Sequence, residues 1–137
     1  MEVTGMDRIL KALAEIVGEE HVSDREEELY IYSRDPGLME PHKPDYVVMP
    51  KTTEEVQKIV QLANKEKIPI VPVGGSLSLS GLVIPHRGGI VLDLKRMDRV
   101  LEVNEKSRYV VVEGGIPVST LIDNFKAING LAPLINI

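Results

Sequence analysis

Residues 68–89 read IPIVPVGGSLSLSGLVIPHRGG, a short apolar strand that breaks into a long run of Gly, Ser and Pro. What flanks this run decides the fold. On its N-terminal side, Thr52 and Glu55 make a capping box, and Val56, Ile59, Val60 and Ala63 form an apolar stripe at helical spacing that stops near Lys67. Residues 46–49, closed by Pro50, precede this helix. Residues 68–71 follow it as a continuous apolar run of the kind that sits buried in a parallel sheet. The expected product is a right-handed strand, helix, strand unit of an α/β fold. Its second strand delivers the loop to the carboxyl edge of the sheet, where open α/β sheets bind their ligands.

Further out, residues 90–94 form an expected third buried strand, and 96–99 turn the chain. Residues 100–103 and 109–113 flank a polar stretch and predict a hairpin, broken by Gly114 and Gly115. Pro117 opens a helix carrying Val118, Leu121, Ile122 and Phe125, with Gly130 placed to end it. Upstream, Ile9, Leu10, Leu13, Ile16 and Val17 share one face of a helix over 5–17, and Gly18 is placed to end it. A short helix follows, with Ser23 as the expected N-cap and a net negative stretch at 24–28 (DREEE) in its first turn. Pro36, Gly37, Pro41 and Pro44 make 33–44 a loop. A hairpin and one helix cannot bury both of their own faces, so the second lobe is expected to be completed by another chain or truncated. Its residues 110–112 and 121–125 are then expected to expose apolar surface, favouring a homodimer or a partner subunit.

Composition narrows the function. Of 137 residues, 43% are apolar and 27% charged, with one Phe and no Trp, which implies a folded domain with an aliphatic core. A net charge of −5 with no basic cluster disfavours nucleic acid as a partner. With no cysteine, disulfides and thiolate chemistry are excluded, and His21, His42 and His86 stand in no metal-ligand spacing. No apolar run reaches the roughly 18 residues of a membrane span, and charged residues crowd the N-terminus, so a cytoplasmic protein is expected.

In the loop itself, Gly74 and Gly75 permit close backbone approach, and Ser76, Ser78 and Ser80 add hydroxyls. Successive N–H groups there would suit an anion, phosphate above all. The alternative is an ordinary flexible turn, against which stand the loop's position and its interspersed Leu77, Leu79 and Leu82. Neither a P-loop nor a G-x-G-x-x-G dinucleotide fingerprint is present.

The string from 44 to 104, PDYVVMPKTTEEVQKIVQLANKEKIPIVPVGGSLSLSGLVIPHRGGIVLDLKRMDRVLEVN, resembles the FAD-binding domain of the vanillyl-alcohol oxidase and para-cresol methylhydroxylase family. Its glycolate oxidase D subunit and D-lactate dehydrogenase branch is the most similar. The likeness extends through YSRDPG at 32–37 and VVEGGIPVSTL at 111–121. It implies a 1–43 N-terminal helical segment and a partial FAD-binding domain over 44–137, with a first lobe at 44–98 and an incomplete, mixed second lobe at 99–137. It also implies a flavin diphosphate on the 72–81 loop. The cofactor-binding positions would be Pro50, Pro72, Val73, Gly74, Gly75, Ser76, Leu77, Ser78, Ser80, Gly81 and Gly115.

The family pattern in the loop is Pro-Arg-Gly-Gly-Gly-Thr-Ser-Leu-Ser-Gly, from which this chain departs at Val73, Ser76 and Leu77. Loss of the Arg and Thr is expected to weaken the cofactor by about 1 to 3 kcal/mol. Ser76 falls where covalent members place a flavin-linking His, so FAD is expected to be non-covalent. The substrate domain that supplies the family's catalytic side chains has no counterpart here, and Asp93, Arg87, His86 and Arg34 are expected to be a local cap and solvated residues. No catalytic residue is therefore assigned. Two functions remain: the N-terminal part of an FAD-dependent oxidoreductase acting on a 2-hydroxy acid such as glycolate or D-lactate, or a non-catalytic remnant or partner-binding module of the same fold that no longer holds FAD.

Overall fold

A computed structural model of the chain describes residues 5–75 and 78–129. Its elements are α1 (Gly5–Val17), a 3-10 turn (Glu19–His21), β1 (Val22–Ser23), α2 (Glu26–Ile31), β2 (Tyr46–Val48), α3 (Thr53–Glu66), β3 (Ile70–Val73), β4 (Ile90–Asp93), β5 (Val100–Asn104), β6 (Tyr109–Val112) and α4 (Val118–Asn129). Four strands form one sheet in the order β1-β2-β4-β3, and β5 pairs with β6 in a separate two-stranded sheet. β4 is parallel to both β2 and β3, whereas β1 joins β2 antiparallel.

The two faces of the large sheet follow from strand alternation. Tyr46, Val48, Ile90 and Leu92 point to one face and pack with Ile9, Leu13 and Val17 of α1 and Ile59 and Ala63 of α3. Val47, Val73 and Val91 point to the other face and meet Leu29 of α2. β2 and β4 are buried along their whole length, which is why they read as uninterrupted apolar runs. Residues 5–31 thus contribute a strand to this sheet and cover both of its faces.

Local signals explain the boundaries. Thr52 Oγ1 accepts the Glu55 N–H at 3.2 Å, and Glu55 Oε2 accepts the Lys51 N–H at 2.7 Å, so the two side chains cap opposite sides of the α3 N-terminus. Lys67, at φ 58°, closes the same helix in the left-handed conformation. At the end of α1, Gly18 takes φ 94° and donates to the Ala14 carbonyl at 2.8 Å.

Several expectations need correction. β3 lies two residues later than 68–71 and is a partly exposed outer strand, because β4 inserts between it and β2. Ser23 does not cap α2: it sits in β1, its Oγ accepts the Arg25 N–H at 3.1 Å, and Arg25 occupies the N-cap position. Within the α3 stripe Val60 is 47% exposed, and Leu62 packs on the core instead. In the second lobe Val111 is exposed, as expected, but Leu121 is buried. The side chain of Phe125 and the end of α4 at Gly130 lie outside the described residues.

Candidate functional site

The carboxyl ends of β3 and β4 lie side by side, with Val73 opposite Asp93. Pro72 and Val73 are strand residues rather than loop. Proline is tolerated at 72 because an outer strand need not use every N–H. Val73 is only 2% exposed and its side chain joins Leu29, Val47 and Val91. An arginine there, as in the family pattern, would emerge on the same face as Asp93, so the Val73 departure bears first on that carboxylate.

Beyond Val73 the loop divides into two arms with different chemistry. Gly74 passes close to the turn after β6, where an added Cβ would stand 3.0 Å from the Gly114 carbonyl oxygen. Around Gly75 an added Cβ would meet none of the described residues within 4 Å. Among the described residues, no hydrogen bond engages the N–H of Gly74 or Gly75. Ser76 and Leu77 lie outside the described residues. On the far arm, the Ser80 N–H donates to Ser78 Oγ at 3.3 Å, and the Gly81 N–H donates to Asp35 Oδ2 at 2.8 Å. Gly81, at φ 76°, is in a conformation suited to glycine. Donors for an anion are therefore available at 74–75, while those at 80–81 are already committed.

The remaining expected positions contribute shape. Pro50 is fully buried and has no N–H to give. Gly115 donates its N–H to the Met97 carbonyl at 2.9 Å, and an added Cβ would collide with the Leu94 carbonyl. Arg96 Nη1 donates to the Met49 carbonyl at 2.7 Å, tying the turn after β4 to the end of β2. Arg34, His86 and Arg87 are exposed, as expected.

Asp93 does more than cap. Its Oδ1 accepts the Lys95 N–H at 2.9 Å, the expected local bond, but its Oδ2 accepts the Tyr32 hydroxyl at 2.5 Å, and Lys95 Nζ stands 3.4 Å from Oδ2. Burial, and then the Asp93 hydrogen bond, push the Tyr32 phenol well above its usual range, so Tyr32 remains a proton donor to Asp93. Ile31, Tyr32, Arg34, Val73, Val83 and Asp93 line a cleft of about 180 Å³ here. A larger groove of about 490 Å³ lies between α1 and α2, away from the loop. Among the described residues no three His, Asp or Glu side chains converge as a metal site, and no helix is long and apolar enough to cross a membrane.

Tyr32, Asp35 and Gly37 escaped assignment from sequence. The Asp-Pro-Gly at 35–37 is a turn signature, yet its partners lie more than forty residues away and are mostly backbone groups, which leave no mark on residue type.

Residues 44–136 match the family described as FAD binding domain. The chain is 31% identical to glycolate oxidase subunit GlcD of Bacillus subtilis over 108 residues, 79% of this chain and 23% of that protein. It is 42% identical to the mitochondrial D-lactate dehydrogenase (cytochrome) of Arabidopsis thaliana over 73 residues, 53% of this chain and 13% of that one. The crystal structure of p-cresol methylhydroxylase with substrate bound superposes with a TM-score of 0.83 and 26% identity, over 93% of this chain and 26% of that one. The chain thus spans roughly a quarter or less of each relative's length. With the mixed α/β architecture of one mainly parallel sheet and a separate antiparallel hairpin, these matches establish that the chain belongs to the FAD-binding domain family of FAD-linked oxidoreductases, whose cofactor is FAD.

Proposed function

We propose that this chain holds FAD non-covalently, with the diphosphate at the Gly74–Gly75 arm of the loop. The observation that carries the reading is the pair of N–H groups at Gly74 and Gly75 that no described residue engages, with no described residue crowding Gly75. Such a pair receives an anionic oxygen without any rearrangement of the loop. Serine at 76, in place of a linking histidine, supports a non-covalent cofactor. Bound FAD supplies the redox chemistry, and the chain's part is to bind and orient it. By the names of its relatives, the whole protein oxidises a 2-hydroxy acid such as glycolate or D-lactate.

Titration with FAD, followed by flavin fluorescence, tests this directly. Gly75→Asp adds a negative charge at a position where a Cβ meets none of the described residues within 4 Å, so it is expected to leave Tm unchanged and raise Kd about tenfold or more by charge repulsion. No binding by the parent chain at millimolar FAD, or equal Kd for parent and variant, sinks the assignment. The second reading, a partner-binding module or homodimer, draws support from exposed Leu101, Tyr109 and Val111 on the hairpin. A strictly monomeric chain in concentrated solution, by light scattering, counts against a homodimer.

A further inference from the structure

We infer that the Tyr32–Gly37 segment is a clip that sets the shape of the cofactor loop, with Tyr32 and Asp35 as positioning residues. Three contacts from this one segment reach the loop or its base. Asp35 grips the far arm with one carboxylate: Oδ1 accepts the Gly37 N–H at 2.9 Å and closes the 35–37 turn, and Oδ2 accepts the Gly81 N–H at 2.8 Å. Between those bonds the backbones approach so closely that a Cβ on Gly37 would collide with the Leu79 carbonyl. Tyr32 grips the near end through Asp93, which stands opposite Val73, the last residue before Gly74.

A loop of glycine and serine has little rigidity of its own. The far arm carries exposed Leu79, at 68%, and Leu82, at 79%, and apolar burial resumes only beyond it, at Val83 and Ile84. What holds it is a charge-assisted hydrogen bond across 46 residues of sequence, together with a close backbone contact. Because the clip takes the Gly81 donor and fixes both ends, the uncommitted N–H groups of Gly74 and Gly75 are left as the loop's receptive face. Preorganisation of this kind strengthens binding by lowering the ordering cost at the moment the ligand arrives.

The inference rests on the FAD reading for one of its two tests only. The first test needs no ligand: amide hydrogen exchange of the chain and of Asp35→Asn, Asp35→Ala and Gly37→Ala. Losing one charge-assisted bond is expected to speed exchange at Gly81 by about tenfold or more in Asp35→Ala. Asp35→Asn, with one acceptor oxygen for two N–H groups, falls between parent and Asp35→Ala. Core amides of Val47 and Val91 should keep the parent rates, which separates a local clip from general destabilisation. Unchanged exchange at Gly81, or equal acceleration at Gly81, Val47 and Val91, overturns the clip. The second test is the FAD titration: Asp35→Ala is expected to raise Kd about tenfold. If Gly81 exchange responds while the parent chain binds no FAD, the clip stands and the FAD assignment falls. If the parent binds FAD and Asp35→Ala binds equally well, the positioning role falls.

Discussion

The four-stranded sheet and the β5–β6 hairpin are built on opposite terms. In the sheet, β2 and β4 are covered on both faces, and Leu13, Val47, Ile59, Ile90 and Val91 have no exposure at all. In the hairpin, Leu101, Tyr109 and Val111 face outward, and a polar pair fixes the base. There Glu113 Oε2 accepts the Arg99 N–H at 2.9 Å and Nε–H at 3.1 Å, while Oε1 accepts from Nη2 at 2.7 Å. Burial is strong and non-directional, and it suits a region with a covering layer on each side. Where the described residues provide no such layer, directional hydrogen bonds set the geometry, and here they also set the Gly114–Gly115 turn against Gly74. The carboxyl edge of the sheet is therefore positioned from one side by packing and from the other by polar clamps.

This contrast can be broken by substitution. Ile59→Ala removes a side chain with no exposure between α3 and the sheet, and is expected to cost about 2 to 5 kcal/mol in chemical denaturation. A smaller loss would mean that α1 and α3 collapse onto the vacated space.

Glu113→Gln is expected to lower Tm by less, and in a pH-dependent way. Hydrogen bonds from Arg99, and then its charge, hold the Glu113 carboxyl below the usual range. Its stabilisation is therefore complete above the unfolded value of roughly 4.3 and is lost as pH falls through the lower folded value. The Tm gap between parent and Glu113→Gln should be open at neutral pH and close on acidification past that window. A gap that does not change with pH would show that the glutamine loses shape rather than charge.

At the small end, Leu101→Ala, on the outer surface of the hairpin, should change stability by no more than about 0.5 kcal/mol. A larger cost in a concentrated sample that vanishes on dilution would sharpen the comparison by revealing that this surface is covered through self-association.

Legibility in the sequence followed the same division. α3 announced itself through Thr52, Glu55 and the Ile59/Ala63 spacing, and β4 through an unbroken apolar run, because local capping and two-sided burial both restrict residue type. β3 was displaced because Pro72 resembles a strand terminator, a rule that fails on an outer strand. β1 has only two residues, too few to display alternation, and Ser23 therefore resembled a helix cap. Of the candidate site, the glycines and the place of the loop were legible. The division into a free and a committed arm was not, since it arises from Asp35 meeting a backbone N–H across the fold. Nor was the burial of Val73, because the loop pattern alone does not say where strand gives way to turn.

The order β1-β2-β4-β3 also imposes a sequence in time. β2, α3 and β3 leave the ribosome before β4, yet β2 and β3 do not pair with each other, since the strand that joins them is β4. Until residues 90–93 have been synthesised, both strands present unpaired parallel edges and the apolar faces of α1 and α3 lack part of their partner surface. Beyond the β1–β2 pair, completion of the sheet must therefore await closure of the segment 74–89 between β3 and β4, whose entropic cost grows only slowly with its length. The segment that leaves the carboxyl end of β3 is thus also the tether whose closure completes the sheet.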